Sequence, residues 1–275
     1  MSATEKIVDT PHGPGRLVVQ RARKASATLL LSHGAGVGID TRDLEALAAD
    51  LPRQGFPVAR FEQPWRVAGR KVATPPPTLD AGLRAAAAAL GSRHSLVVGG
   101  RSAGARSATR CAADLGAHGC LALAFPLHPP GKPEKSRLAE LEGSGVPTLV
   151  VQGERDTMGR PEEFPDPLPD HVHLAVVPGA DHGFKVPQRG DLTEDDAMAL
   201  LVEGSLAQIW STALVAIGAA AVATCAVVVW LRRHDAMGWF ARLFPALFWL
   251  STLAFSLVHL FNFPADQLAM ALPLV

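Results

Sequence analysis

Short apolar runs alternate with amphipathic helical patterns up to about Glu203, and this alternation constrains the fold more than any other feature of the sequence. The run that begins at Ala27 ends in a glycine-rich turn, and the segment from Asp40 then places leucines at helical spacing before Gly55 closes it. The same pattern of strand and helix recurs along the rest of this region. It predicts an α/β fold with a mostly parallel, doubly wound sheet that has helices on both faces.

The N-terminal segment departs from this pattern. Two short β-rich runs flank a Pro/Gly turn there without an intervening helix, which predicts an antiparallel hairpin on one edge of the sheet. The start of the chain shows neither the apolar stretch nor the cleavage site of a secretory signal. We therefore expect this region to lie in the cytoplasm.

The composition argues against several functional classes. The 275 residues are 48% hydrophobic and 19% charged, and 26 basic residues balance 26 acidic ones. Such a chain can bury a full-sized core, and it lacks the excess positive charge that binds nucleic acid. The three cysteines, Cys111, Cys120 and Cys225, match neither a disulfide framework nor a zinc site. We expect reduced, mostly buried thiols.

A serine stands between glycines where the predicted strand "SLVVGG" passes into a helix. Residues 100–104 fit the pattern G-x-S-x-G with Ser102 at its centre. In this pattern the serine occupies a tight, strained turn that exposes its hydroxyl, and the outer glycines let neighbouring backbone approach. The turn lies at the carboxyl end of a strand, which is where open α/β sheets bind ligands. Ser102 is therefore the candidate nucleophile.

A serine nucleophile needs a base that is itself oriented by a carboxylate. Asp156 follows the apolar strand "PTLVVQG", and His182 follows the next strand along the chain. The order Ser, Asp, His is the one expected for a nucleophile on such a turn. Glu154 and His128 remain as competing candidates for the acid and the base.

Backbone N–H groups are the candidates for stabilising charge on an attacked carbonyl oxygen. The N–H of Ala103 begins the helix after the serine, and a second donor, from Gly34 or Ala35, lies in the "HGAG" turn after the first parallel strand. These three residues form the predicted oxyanion hole.

Two long, irregular connections, Glu62–Pro77 and Pro126–Lys135, are candidate walls of a binding site. The first connection carries Arg66, Arg70 and Lys71, which together with Arg101 would attract an anionic substrate, although a solvated basic loop explains the same charges. The candidate substrate-binding residues are Trp65, Arg66, Arg101 and His128.

These motifs resemble the α/β-hydrolase fold, and within it the small members without a cap domain that lie near the dienelactone hydrolases. The segments "LLSHGAG", "FEQPWRVAGRK", "GGRSAGAR", "FPLHPPGKPEKSR" and "GADHGF" are similar to a compact bacterial family, which is shared with a subunit of a eukaryotic histone-acetyltransferase complex. The resemblance covers about Ile7 to Trp210. It implies hydrolysis of an ester-like bond at Ser102 with Asp156 and His182.

The segment in which many hydrolases insert a cap is short here, so we expect an open site that favours small substrates. The leading hypothesis is a serine hydrolase of small carboxylic esters, lactones or thioesters that works through an acyl-enzyme and needs no metal and no cofactor. The alternative is a non-catalytic protein-interaction module on the same fold, because a fold alone does not confer activity.

The apolar composition of the C-terminal region predicts a tail that spans the membrane. No charged residue occurs from Gly204 to Leu231, and a second uncharged run follows a short basic loop. The sequence predicts a hydrolase domain over residues 1–210 and a tail over residues 211–275, with two transmembrane helices at about 212–231 and 243–263.

The basic residues between the two predicted spans favour a cytoplasmic position for that loop. A cytoplasmic domain followed by one span would instead place the loop outside, so the two arguments conflict. We give more weight to the missing secretory signal and expect a cytoplasmic domain anchored to the inner membrane. The second run also resembles one helix of the CPBP (CAAX-protease-like) intramembrane endopeptidases at Phe255 and His259. That family's paired glutamates are missing here, so the resemblance is to a fragment and implies no protease activity.

Overall fold

The computed structural model describes residues 3–23, 25–91, 94–207 and 209. Contacts separate residues 1–216 from residues 217–275, and all described residues belong to the first of these units. In the described ranges, no helix has both the length and the apolar character needed to cross a membrane. The two predicted transmembrane helices and the segment that resembles the CPBP endopeptidases lie outside the described residues.

An eight-stranded sheet forms the centre of this unit, and its strands lie in the order β1-β2-β4-β3-β5-β6-β7-β8. Only β2 runs antiparallel to its neighbours, and every other neighbouring pair in the sheet is parallel. The strands are β1 Ala3–Thr10, β2 Gly13–Gln20, β3 Ala27–Ser32, β4 Val58–Glu62, β5 Ser95–Arg101, β6 Gly119–Leu123, β7 Thr148–Gly153 and β8 Val172–Val177. The predicted mostly parallel sheet and its N-terminal hairpin are confirmed.

Six helices connect or follow these strands in the described part of the chain. They are α1 Arg42–Asp50, α2 Pro64–Val67, α3 Pro76–Leu90, α4 Ala103–Cys111, α5 Leu138–Glu142 and α6 over residues 194–207. Short 3₁₀ turns occupy Leu51–Gln54 and Pro161–Glu163. Helix α3 begins with two prolines, which the first turn of a helix tolerates because its N–H groups have no partner within the helix.

Alternating side chains of the central strand β3 divide the core between the two faces of the sheet. Leu29 and Leu31 pack in one buried cluster with leucines of α1 and α6, whereas Leu30 packs in a second cluster with residues of α3 and α4. Successive strand residues point to opposite faces, so a strand covered on both sides reads as a continuous apolar run. This two-sided burial fixes the strand ends that carry the site.

The connection from β6 to β7 contains α5 and no cap domain. Phe125 and Leu127 at its start are buried with Ala105 of α4, and Leu141 of α5 packs in the same cluster. The connection therefore fills the core beside the nucleophile helix.

Candidate active site

Ser102 occupies the turn between β5 and α4 in a backbone conformation that residues other than glycine rarely adopt. Its backbone has φ 54° and ψ −111°, and its N–H donates to the carbonyl oxygen of Leu123 at 2.9 Å. Such strain persists only where surrounding structure holds it in place. Here the bond to the end of β6 provides part of that support.

Two glycines allow the backbone to pack tightly around this turn. A Cβ on Gly100 would lie 2.4 Å from the carbonyl oxygen of Ser32, and a Cβ on Gly104 would lie 2.3 Å from the same atom. Neither position has room for a side chain, because the end of β3 presses against the turn from one side. The glycines of the G-x-S-x-G pattern are therefore explained by close approach.

His182 and Asp156 lie next to Ser102 in a continuous line of polar atoms. The distance from His182 Nε2 to Ser102 Oγ is 3.0 Å, and the distance from His182 Nδ1 to Asp156 Oδ2 is 2.7 Å. The Asp156 carboxylate is fully buried, whereas the His182 side chain is 24% exposed. The structure thus brings together the three residues that the sequence placed after separate strands.

The buried Asp156 carboxylate has two further hydrogen-bond donors. Gln152 Nε2 donates to Oδ2 at 2.9 Å, and the N–H of Met158 donates to Oδ1 at 2.8 Å. Donors of this kind stabilise a buried anion and fix its orientation. Gly153 lets the histidine turn approach, since a Cβ there would lie 2.6 Å from the carbonyl oxygens of both Ala180 and Asp181.

The turn that carries His182 is braced from both sides of the histidine. Asp181 Oδ1 accepts hydrogen bonds from the N–H groups of Gly183 and Lys185 at 2.7 and 2.9 Å. Phe184 has φ 55° and is almost completely buried in the core. A strained but buried residue two positions after the histidine gives the turn a fixed anchor.

Two of the predicted oxyanion residues, Gly34 and Ala103, lie beside Ser102. A Cβ on Gly34 would lie 3.3 Å from the Cβ of Ser102, and Ala103 is the first residue of α4, where backbone N–H groups have no partner in the helix. Ala35 follows Gly34 in the same turn and is exposed. Gly34 and Ala103 are therefore adjacent to the candidate nucleophile.

His33 holds the turn that contains Gly34. Its Nε2 accepts the N–H of Gln63 at 3.0 Å, so the proton resides on Nδ1, which donates to the carbonyl oxygen of Gly34 at 2.8 Å. Burial lowers the pKa of His33 below its ordinary value. The ring is therefore neutral and packs against Trp65, with 5.4 Å between ring centroids.

The four candidate substrate-binding residues have different surroundings. Trp65 is buried, Arg66 is half-buried, and Arg101 contacts Asp43 and the carbonyl oxygen of His182. His128 is buried, with Nδ1 2.9 Å from the carbonyl oxygen of Pro129 and Nε2 3.0 Å from Glu163 Oε1.

The competing acid Glu154 is exposed, and its carboxylate accepts the N–H of Gly179. His128, the competing base, is held by Glu163 as described above. Asp156 and His182, in contrast, contact each other and Ser102. Geometry therefore favours this pair over the alternatives.

Among the described residues, no group of three or more His, Cys, Asp or Glu side chains could hold a metal ion. Cys111 and Cys120 are free and buried. Burial raises the pKa of Cys111 to about 11 and that of Cys120 to about 12. Thiols of this kind are poor nucleophiles at neutral pH.

Sequence reasoning missed Gln152, Asp181 and Asp43. The sequence does indicate a role for Gln152, because it is a polar residue at the end of an apolar strand. A buried amide at that position requires hydrogen-bond partners. Asp43 resembles an ordinary first-turn acid of a helix, and nothing near it in the sequence indicates its contact with Arg101.

Comparison with known proteins identifies the family. A family model described as an alpha/beta hydrolase domain matches residues 25–209, and the chain belongs to this family. Family membership confirms the prediction of an enzyme of the hydrolase class. A comparison with curated proteins found no match.

Several solved structures share the fold. A lidless α/β serine hydrolase from Xanthomonas campestris is 22% identical with a TM-score of 0.58, and the match covers 74% of this chain and 94% of that chain. A dienelactone hydrolase from Anabaena variabilis is 17% identical with a TM-score of 0.58, over 76% of this chain and 96% of that one. The esterase domain of a Rhodothermus marinus protein is 14% identical with a TM-score of 0.57, over 77% and 98%. At these identities the likeness is one of fold.

Proposed function

We propose that this hydrolase cleaves small carboxylic esters, lactones or thioesters through a catalytic triad of Ser102, His182 and Asp156. The observation that carries the proposal is the line of contacts from Ser102 Oγ through both ring nitrogens of His182 to the buried Asp156 carboxylate, at 3.0 and 2.7 Å. A strained serine on a strand-to-helix turn supports the same role.

The first half of the reaction forms an acyl-enzyme. His182 Nε2 takes the proton of the Ser102 hydroxyl while Oγ bonds to the substrate carbonyl carbon and the carbonyl electrons move onto oxygen. When the intermediate collapses, the bond to the leaving oxygen or sulfur breaks, and the leaving group takes the proton from His182. General-base help of this type contributes about a hundredfold to ten-thousandfold.

The second half releases the acid. Water loses a proton to His182 Nε2 and attacks the acyl carbon, and Ser102 Oγ leaves with that proton. Throughout, Asp156 accepts the Nδ1–H of His182, which holds the required tautomer and stabilises the imidazolium. The N–H groups of Ala103 and of Gly34 or Ala35 are the proposed donors to the oxyanion.

The preference for small or exposed substrates rests on the short connection between β6 and β7. That connection packs into the core through Phe125 and Leu127, and Ser102 and His182 both remain partly exposed. The fold's likeness to proteins named dienelactone hydrolase, esterase and lidless serine hydrolase supports this substrate class.

The test is active-site labelling of the full chain with a fluorophosphonate, combined with hydrolysis of a small acetyl ester. We expect labelling and hydrolysis in the wild type, and a loss of turnover of at least about a thousandfold in both Ser102→Ala and His182→Ala. Ser136→Ala and His173→Ala are matched controls, because both residues are exposed. A folded wild type that neither labels nor hydrolyses would contradict catalysis and favour the interaction module.

We further propose that residues 1–210 form the hydrolase domain and that residues 211–275 anchor it to the cytoplasmic face of the inner membrane. Support comes from the sequence, where long uncharged runs are confined to the tail. The test compares membrane fractions from cells that express the full chain or residues 1–210. Full chain in the membrane pellet and the shorter chain in the supernatant are expected, whereas full chain in the supernatant would contradict the anchor.

A further inference from the structure

Arg101 precedes the serine, and its guanidinium joins two segments that are distant in sequence. Nε lies 3.2 Å from Asp43 Oδ2, and Nη2 donates to the carbonyl oxygen of His182 at 2.9 Å. The Arg101 side chain is 11% exposed and that of Asp43 is 3% exposed. Both charges are therefore shielded from water.

The same guanidinium also lies against the turn of the oxyanion hole. A Cβ on Gly34 would lie 3.2 Å from Arg101 Nη1. One planar group thus contacts the beginning of α1 and the histidine turn, and it lies close to the turn after β3. Arginine suits such a place because its donors lie in one rigid plane and its charge is permanent.

The contact with His182 acts on the backbone of the proposed base itself. The braces from Asp181 act on Gly183 and Lys185, which follow the histidine. Arg101, by contrast, holds the carbonyl of His182 and is covalently next to Ser102. This hydrogen bond therefore links the residue directly before the nucleophile to the backbone of the proposed base.

We infer that Arg101, oriented by Asp43, is a positioning residue that holds the His182 backbone so that Nε2 stays within reach of Ser102 Oγ. This inference rests on the proposed function. It replaces the expectation that Arg101 attracts an anionic substrate, because Asp43 already offsets the guanidinium charge and the side chain is largely buried.

The experiment measures kcat and KM for a small acetyl ester, and the rate of fluorophosphonate labelling, in the full chain. Arg101→Met is expected to lower kcat and the labelling rate by about 10- to 100-fold, because small misplacements of reacting groups cost up to about that much. KM should stay within about twofold. The matched control is Arg155→Met, since the exposed Arg155 also donates to a nearby turn carbonyl, that of Gly179, at 2.9 Å.

Two further variants separate positioning from a general loss of stability. Arg101→Lys keeps the charge but has no planar fork with which to hold both partners, so we expect most of the loss in kcat to remain. Asp43→Asn should lower kcat in the same direction, and the double variant Asp43→Asn with Arg101→Met should be no worse than Arg101→Met alone, because both act through one contact.

The outcomes distinguish this inference from the proposed function. An unlabelled, inactive wild type would remove the triad and the inference together. An active wild type with an unchanged Arg101→Met variant, or with a variant whose KM rises while kcat is unchanged, would overturn the positioning role alone. If Arg101→Met does not fold, a kcat of Arg101→Lys equal to that of the wild type in a folded chain would also overturn it.

Discussion

At the scale of single residues, Ser102 is held in a strained conformation by its surroundings. The carbonyl oxygen of Ser32 presses on the turn, and the end of β6 accepts the Ser102 N–H. The strain is local and its support comes from neighbouring strands. Small changes in those supports should therefore affect both stability and activity.

Gly104→Ala tests this close packing. The new Cβ would lie 2.3 Å from backbone at Ser32, so we expect a loss of about 1–3 kcal/mol in the free energy of unfolding and slower fluorophosphonate labelling. Gly204→Ala is the control, because a Cβ there meets nothing within 4 Å. This control should be neutral or stabilising by up to about 1 kcal/mol. Denaturant unfolding checks both, and equal effects would contradict the packing argument.

Asp156→Asn tests the role of the buried carboxylate. The amide has nearly the same shape but cannot stabilise an imidazolium, and its NH₂ favours the wrong tautomer of His182. We expect kcat to fall by about ten-thousandfold while the chain stays folded. Steady-state kinetics and a thermal melt measure the two effects. A variant with nearly full activity would contradict the assignment of Asp156.

His33 predicts a pH dependence of stability. Burial lowers its folded-state pKa below the ordinary value of 6.5, whereas the unfolded chain keeps that value. Below about pH 6.5 the unfolded state binds the proton first, so the stability that neutral His33 contributes is present above this pH and is lost as the pH falls.

The measurement is the free energy of unfolding between pH 8 and pH 5.5 for the wild type and for His33→Gln. One proton gives a slope of at most about 1.4 kcal/mol per pH unit. The wild type should lose more stability on acidification than the variant. Parallel profiles would contradict a neutral, buried His33.

At the level of secondary-structure elements, a partly buried polar network joins helix α4, which follows Ser102, to α3 and α5. Arg110 of α4 donates to both carboxylate oxygens of Asp80 in α3 at 2.9 and 2.7 Å, and to Glu140 of α5 at 3.1 Å. Ser107 donates to Asp80 as well. The network therefore contacts α4, the helix that begins directly after Ser102.

Arg110→Met should therefore be costly. It leaves Asp80 and Glu140 with fewer partners at partly buried positions, and breaking such pairs costs about 3–5 kcal/mol when burial is complete. Because these groups retain some exposure, we expect a smaller loss, of about 2 kcal/mol. Arg84→Met is the control, since its pair with Asp114 is exposed and is worth less than about 1 kcal/mol. Denaturant titrations that show equal losses would contradict the role of the network.

The central strands β3, β6 and β7 were predictable because burial on both faces leaves a visible apolar run. The positions of Ser102, Asp156 and His182 were predictable for a related reason, since each follows such a run and the ends of parallel strands meet at one edge of the sheet. The partners of Asp43 and His128 were not predictable. These contacts depend on which segments, distant in sequence, lie close together in the fold. The local sequence does not indicate this proximity.

At the level of the whole molecule, the described unit is a hydrolase domain, and its connection from β6 to β7 contains α5 and no cap domain. Its two described cysteines are buried and their thiols have raised pKa values. Reaction of the native full chain with a thiol reagent at pH 7.5 should therefore leave Cys111 and Cys120 unmodified until denaturant is added. Peptide mapping checks this, and rapid modification of either residue in the folded chain would contradict their burial.

The proposed mechanism requires that Ser102 carries the acyl group during turnover. The most direct measurement is rapid acid quenching of the full chain during hydrolysis of p-nitrophenyl acetate, followed by peptide mass spectrometry. We expect one acetyl group on the Ser102 peptide in the wild type and none in Ser102→Ala. An acetyl group on another residue, or turnover without any acyl-enzyme at Ser102, would contradict it.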